Sequence, residues 1–146
     1  MHASMQFVLR SAVVSACALA PWLGHAQTVV TPAVVPAVAP AMKGEGTATY
    51  RCGGVGTDES VAMRAEMKNH PLSLLFARAS GAYLADVAVK VKDSAGATAL
   101  EMTANGPVCL VNLPPGRYTV EAASDGMTKS QVVTLGNGSK TADFRF

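Results

Sequence analysis

The sequence predicts an all-β fold, an antiparallel sandwich or barrel of about seven short strands with one short N-terminal helix. Three observations carry this. Turn-forming clusters recur roughly every ten residues, at Asp93-Ser94-Ala95-Gly96, Asn105-Gly106, Asp125-Gly126 and Asn137-Gly138. Most segments between them alternate apolar and polar residues with period two. No strand–helix–strand alternation is present, which argues against a parallel sheet. The chain has 146 residues, enough for one domain. Hydrophobic residues make up 49% and charged residues 15%, which excludes a disordered polar chain. A net charge of +2 without a basic block gives no footprint for nucleic acid.

Residues 1–26 read as a secretory signal peptide, with Arg10 before a short apolar run and Gly24-His25-Ala26 as the cleavage motif. Cleavage is expected after Ala26. The run between Arg10 and Pro21 is about half the ~20 residues that span a bilayer. Val14-Ser15-Ala16-Cys17 loosely resembles a lipobox, but the apolar run before Cys17 is short for a lipoprotein signal. Cleavage leaves Cys52, Cys109 and a single histidine, His70, and removes Trp22.

Residues 27–46 read as a Pro/Ala/Val-rich linker. Pro32, Pro36 and Pro40 recur every fourth residue, which prevents a helix and favours an extended tether. The domain is expected over 47–146. A first strand is expected over 47–52, with Thr47, Thr49 and Arg51 on one face. Gly53-Gly54-Val55-Gly56 then turns into a helical insert near 57–69. Thr57 is the expected cap, and Asp58 and Glu59 suit the positive end of the helix dipole. Val61 and Ala65 share one face of this helix, as do Met63 and Met67. His70-Pro71 ends it.

Beyond the helix, Leu72, Leu74 and Phe76 point one way, and Ser73, Leu75 and Ala77 the other. Val87, Val89 and Val91 mark a half-buried strand. A weaker strand spans 98–103, and 108–111 is apolar throughout. Tyr118 and Val120 alternate with Arg117, Thr119 and Glu121. Asp125-Gly126 and Asn137-Gly138 are expected hairpin turns, flanking strands over 131–135 and 141–146.

Two cysteines in an exported chain imply one structural disulfide, Cys52–Cys109, expected to bridge across sheets. A redox pair would show Cys-x-x-Cys, and one histidine with two cysteines does not complete a zinc site without a carboxylate. Closing a loop of this length is worth about 4 kcal/mol by the chain-entropy account.

Leu113-Pro114-Pro115-Gly116-Arg117-Tyr118-Thr119-Val120, with Asp93-Ser94-Ala95-Gly96 before it and Ala122-Ala123-Ser124-Asp125-Gly126 after it, resembles carboxypeptidase regulatory-like domains, also called transthyretin-like or prealbumin-like. The resemblance covers roughly 72–146 and rests on turn chemistry combined with a hydrophobic register. With it, the expected fold class becomes an antiparallel Greek-key β-sandwich. Leu113, Pro114, Pro115, Gly116 and Tyr118 form its structural corner. Gly116 allows dihedrals a side chain would forbid, and Tyr118 buries its ring while its hydroxyl bonds nearby backbone. The glycine run and helix before the sandwich depart from the family pattern.

The resemblance implies an accessory or binding module, and fold analogy alone does not assign a function. No catalytic residue, cofactor or metal site is expected. His70 precedes a proline at a helix end, where a solvated histidine is ordinary, and no Gly-x-Ser-x-Gly elbow is present. The chain also lacks the histidines and C-terminal motif of transthyretin-like hydrolases of hydroxyisourate. Gly53-Gly54-Val55-Gly56 could cradle a phosphate, but the following residues are acidic and no Lys-Ser/Thr pair follows. The expectation is a non-catalytic interaction or accessory module of the bacterial cell envelope, periplasmic or secreted, with an envelope protein as partner. The alternative is a carbohydrate-binding module that presents Tyr50 and Tyr83 to a glycan. An exposed tyrosine platform favours the glycan, and an exposed apolar patch or sheet edge favours the protein.

Overall fold

The computed structural model describes residues 40–146. The expected signal peptide, its cleavage site after Ala26, and most of the expected linker lie outside these residues. The described chain forms β1 (Lys43–Glu45), β2 (Ala48–Gly53), α1 (Thr57–Glu66), a single 3-10 turn (Met67–Asn69), β3 (Leu72–Ala77), β4 (Val87–Lys92), β5 (Thr98–Ala104), β6 (Val108–Asn112), β7 (Gly116–Ser124), β8 (Met127–Leu135) and β9 (Lys140–Arg145).

The strands make two sheets, one of order β1-β2-β6-β3-β9 and one of order β5-β4-β7-β8. Residues from the inner faces of both sheets share one core. Leu72, Leu74 and Phe76 of β3 meet Val87, Val89 and Val91 of β4 there, as period-two alternation requires. Phe76 and Phe144 stack with ring centroids 5.7 Å apart. The all-β sandwich with one short helix is thus as expected.

Four details differ from expectation. There are nine strands among the described residues rather than about seven. β1 lies within the stretch expected to be linker. It pairs with β2 through Lys43↔Tyr50 and Glu45↔Ala48, and its side chains are exposed, so no hydrophobic pattern announces it. The sheets are also not wholly antiparallel, because β3 and β9 pair in parallel from Leu72↔Lys140 to Ala77↔Arg145. Asn137-Gly138 is accordingly not a hairpin turn, since it carries the chain from β8 in one sheet to β9 in the other. Asp125-Gly126 is one: both residues have positive φ, and Ser124 pairs with Met127.

The disulfide joins Cys52 and Cys109, but within one sheet rather than across the two. They are direct partners on β2 and β6, with Cα atoms 4.1 Å apart. At the Leu113–Tyr118 corner Tyr118 is buried and its hydroxyl donates to the Pro114 carbonyl at 3.0 Å, but Gly116 does not take the dihedrals expected of it: it is not among the positive-φ glycines, and a Cβ there would only touch the Tyr118 ring at 3.4 Å.

The outer face of the β2–β6–β3 region carries α1. Met63 is 1% exposed and packs on Val108 and Leu110, with Met67 and Leu75 at the margin. This explains why β6 is apolar on both faces: one faces the sandwich core and the other the helix.

Candidate functional site

The residues that reach solvent together lie around the start of α1. Gly54 has φ +88, and a Cβ there would come within 3.1 Å of the Val108 side chain, so the loop passes tightly over β6. Gly56 is the helix cap, and no side chain bonds the first amides. Thr57, expected in that role, is instead the first helical residue. The carboxylate of Glu59 turns back ahead of the helix, its Oε2 accepting from the Val55 N–H at 3.3 Å. The glycine run therefore already holds an anion from its own chain.

Packing of Met63 turns the opposite face of α1 outward, so Val61 is 64% exposed and Arg64 is exposed with it. Tyr83 is brought to the same place by a tight return of the chain after β3. Arg78 N–H donates to the Ala82 carbonyl at 2.7 Å, Gly81 N–H donates to Arg78 at 2.9 Å, and Ala77 bridges Tyr83. Leu84, the next residue, is buried, so Tyr83 points outward.

Arg64 Nη2 donates to the Tyr83 hydroxyl at 2.9 Å, and its guanidinium carbon lies 5.4 Å from the Tyr83 ring centre. Arg64 Nε donates to Ser60 Oγ at 3.4 Å. Gly54, Val55, Gly56, Thr57, Ser60, Val61, Arg64 and Tyr83 together line an open cleft of about 320 Å³. Val55 is 72% and Tyr83 55% exposed at its rim.

Of the five arginines among the described residues, three pair with carboxylates and two, Arg64 and Arg117, do not. Arg51 pairs with Glu66, and Arg78 with Asp125. Asp143 accepts from Nε and Nη2 of Arg145, and these bonds and its charge raise the Arg145 pKa. Among the described residues Arg64 has no carboxylate partner and is held by two hydroxyls instead. A larger depression on the outer face of β4, β5, β7 and β8 contains Lys90, Glu101 and Glu121, whose charges are taken up in the pairs Lys90–Glu101 and Lys92–Glu121.

Tyr50 and Tyr83, the two expected ligand-surface residues, are not brought together. Tyr50 packs against the core between the sheets. Tyr83 lies by α1, on the other side of the β2 sheet. The expected solvated His70 is half-buried instead. Its Nδ1 is 2.8 Å from Asn112 Oδ1. Asn112 in turn donates to Thr49 Oγ1 at 3.1 Å.

Sequence reasoning missed Val55, Val61 and Arg64. The available signal was Val61 and Ala65 on a face of the helix other than that of Met63 and Met67. One face of a ten-residue helix suffices to dock it, so the second apolar position was free for solvent.

Comparison of the chain with family models and with curated proteins found no match.

Proposed function

We propose that this chain is a non-catalytic interaction module of the bacterial cell envelope, of the carboxypeptidase regulatory-like Greek-key type, that binds a protein partner. The observation that carries the reading is the gathering of Val55, Val61 and Tyr83, each more than half exposed, around one cleft. Exposed apolar side chains gathered in one place mark interaction surfaces, whereas singly scattered ones need no explanation. One further observation supports an exported placement, periplasmic or secreted. A disulfide is at home in an oxidising compartment, which is the observation that favours this placement.

The glycan reading has Tyr83 in its favour, as an exposed aromatic on a loop. A flat sugar platform wants a free ring face, and Arg64 already lies over this one. The protein partner therefore takes precedence.

In-cell crosslinking of the tagged full-length chain, followed by purification and mass spectrometry, tests this. A stoichiometric envelope-protein partner, lost on Val61→Lys, is the expected result. Recovery of the chain alone, or with cell-wall fragments, overturns it in favour of the glycan.

A further inference from the structure

The chemistry of the partner can be taken one step further, resting on the reading of this cleft as a protein-binding surface. A guanidinium offers five N–H donors in a planar fork. Arg64 spends one on Ser60 and one on Tyr83, which leaves three without a partner among the described residues. The two hydroxyls hold the fork without neutralising it. Of the two acids in the first helical turn, Glu59 is turned back onto the Val55 amide and Asp58 is exposed, with no ion pair to Arg64. The result is a pre-positioned cation with no ion pair, in a cleft that two exposed valines also line.

We infer that the cleft of Arg64 takes the carboxylate of an aspartate or glutamate that a protein partner presents between apolar residues. The acid would pair with the free edge of the fork, and its apolar neighbours would cover Val55 and Val61. Three features fit. Arginine binds carboxylates through paired, charge-assisted hydrogen bonds. Ordering the fork in advance lowers the entropic cost of docking. The exposed valines of the same cleft suit a peptide better than a hydrated acidic sugar, because they reward apolar neighbours and offer a hydroxyl-rich chain little.

The test is a selection of peptides from a random phage library on the purified, disulfide-bonded full chain, run in parallel on Arg64→Gln and Arg64→Lys. Arg64 is exposed, and matching thermal melts of the three proteins check that the fold is kept. The expected result is enrichment of peptides with one acid flanked by apolar residues. Their synthetic versions should bind about tenfold or more weaker to Arg64→Gln, and also when the acid is replaced by its amide. Arg64→Lys should recover only part of the binding, because it restores the charge without the planar fork. No enrichment, enrichment without an acid, or equal binding to Arg64→Gln overturns the proposal. So does an Arg64-dependent response to polygalacturonate in place of peptide.

A second arm separates this failure from failure of the broader reading. A photo-crosslinking residue is placed at Val61 in one strain and at Val132 on β8 in another. Capture of the stoichiometric partner from Val132 alone would leave the interaction module standing and remove the Arg64 cleft as its docking point. Capture from Val61, weakened by Arg64→Gln, supports both.

Discussion

Cys52 and Cys109 face one another on adjacent antiparallel strands, with both side chains buried in the sandwich core. The bond closes a long loop, since 57 positions separate them in sequence. That loop contains α1, β3, β4 and β5, so one covalent link restrains much of the unfolded chain.

Replacing both cysteines with alanine should therefore lower stability by about 4 kcal/mol by the chain-entropy account. Urea unfolding of the oxidised protein and the double variant measures this. Because the sulfurs are buried, reductant without denaturant should leave the bond intact over times in which reductant with denaturant breaks it. Thiol titration distinguishes the two.

The corner makes a smaller prediction. Tyr118→Phe keeps the ring and removes the hydroxyl bond to Pro114. Pro114 is exposed, so water can serve its carbonyl once the hydroxyl is gone. The expected loss is about 1 kcal/mol, read as a shifted urea midpoint with an unchanged slope.

Phe144→Ala should be far more costly, about 3–5 kcal/mol, because the ring is fully buried. Phe76 is its direct partner in the parallel β3–β9 pairing. A double-mutant cycle with Phe76→Ala should show coupling of about 1 kcal/mol. Additive losses would mean that the stacked pair contributes only through burial.

Two glycines separate crowding from backbone strain. A Cβ at Gly106 would overlap the Gly53 carbonyl group, where the β5–β6 connection passes the end of β2. Gly81 has φ +93 but open space around it. Gly81→Ala should cost about 1 kcal/mol from strain alone. Gly106→Ala should cost about 3 kcal/mol, at the upper end for overpacking, because backbone rather than a flexible side chain must move. Thermal denaturation of both variants gives the comparison.

The elements that announced themselves were those whose stability is local or one-sided. Val87, Val89 and Val91 alternate because one face of β4 is buried and the other is not. Asp93 holds its own turn by accepting from the amides of Ala95 and Ala97, which short-range chemistry forecasts. The Tyr118 corner is readable for the same reason: its hydroxyl bond reaches back only four residues. β1 was illegible because backbone hydrogen bonds to β2 define it, and Lys43, Gly44 and Glu45 bury nothing. The parallel pairing of β9 with β3 leaves no periodic mark, since an alternating strand looks the same in either direction.

Residue pattern alone was enough for an all-β fold with a short helix, the choice of sandwich over barrel coming with the resemblance, for the burial of Tyr118 with its hydroxyl on nearby backbone, and for the pairing of Cys52 with Cys109. Tertiary structure decided that this disulfide stays within one sheet, that Tyr50 turns to the core, and that Tyr83 meets Arg64 from 19 residues away. The physical reason is range. Turn chemistry and alternation act between residues close in sequence, whereas the cleft of Val55, Val61, Arg64 and Tyr83 exists only because Met63 docks α1 onto β6 and the return after β3 ends beside it.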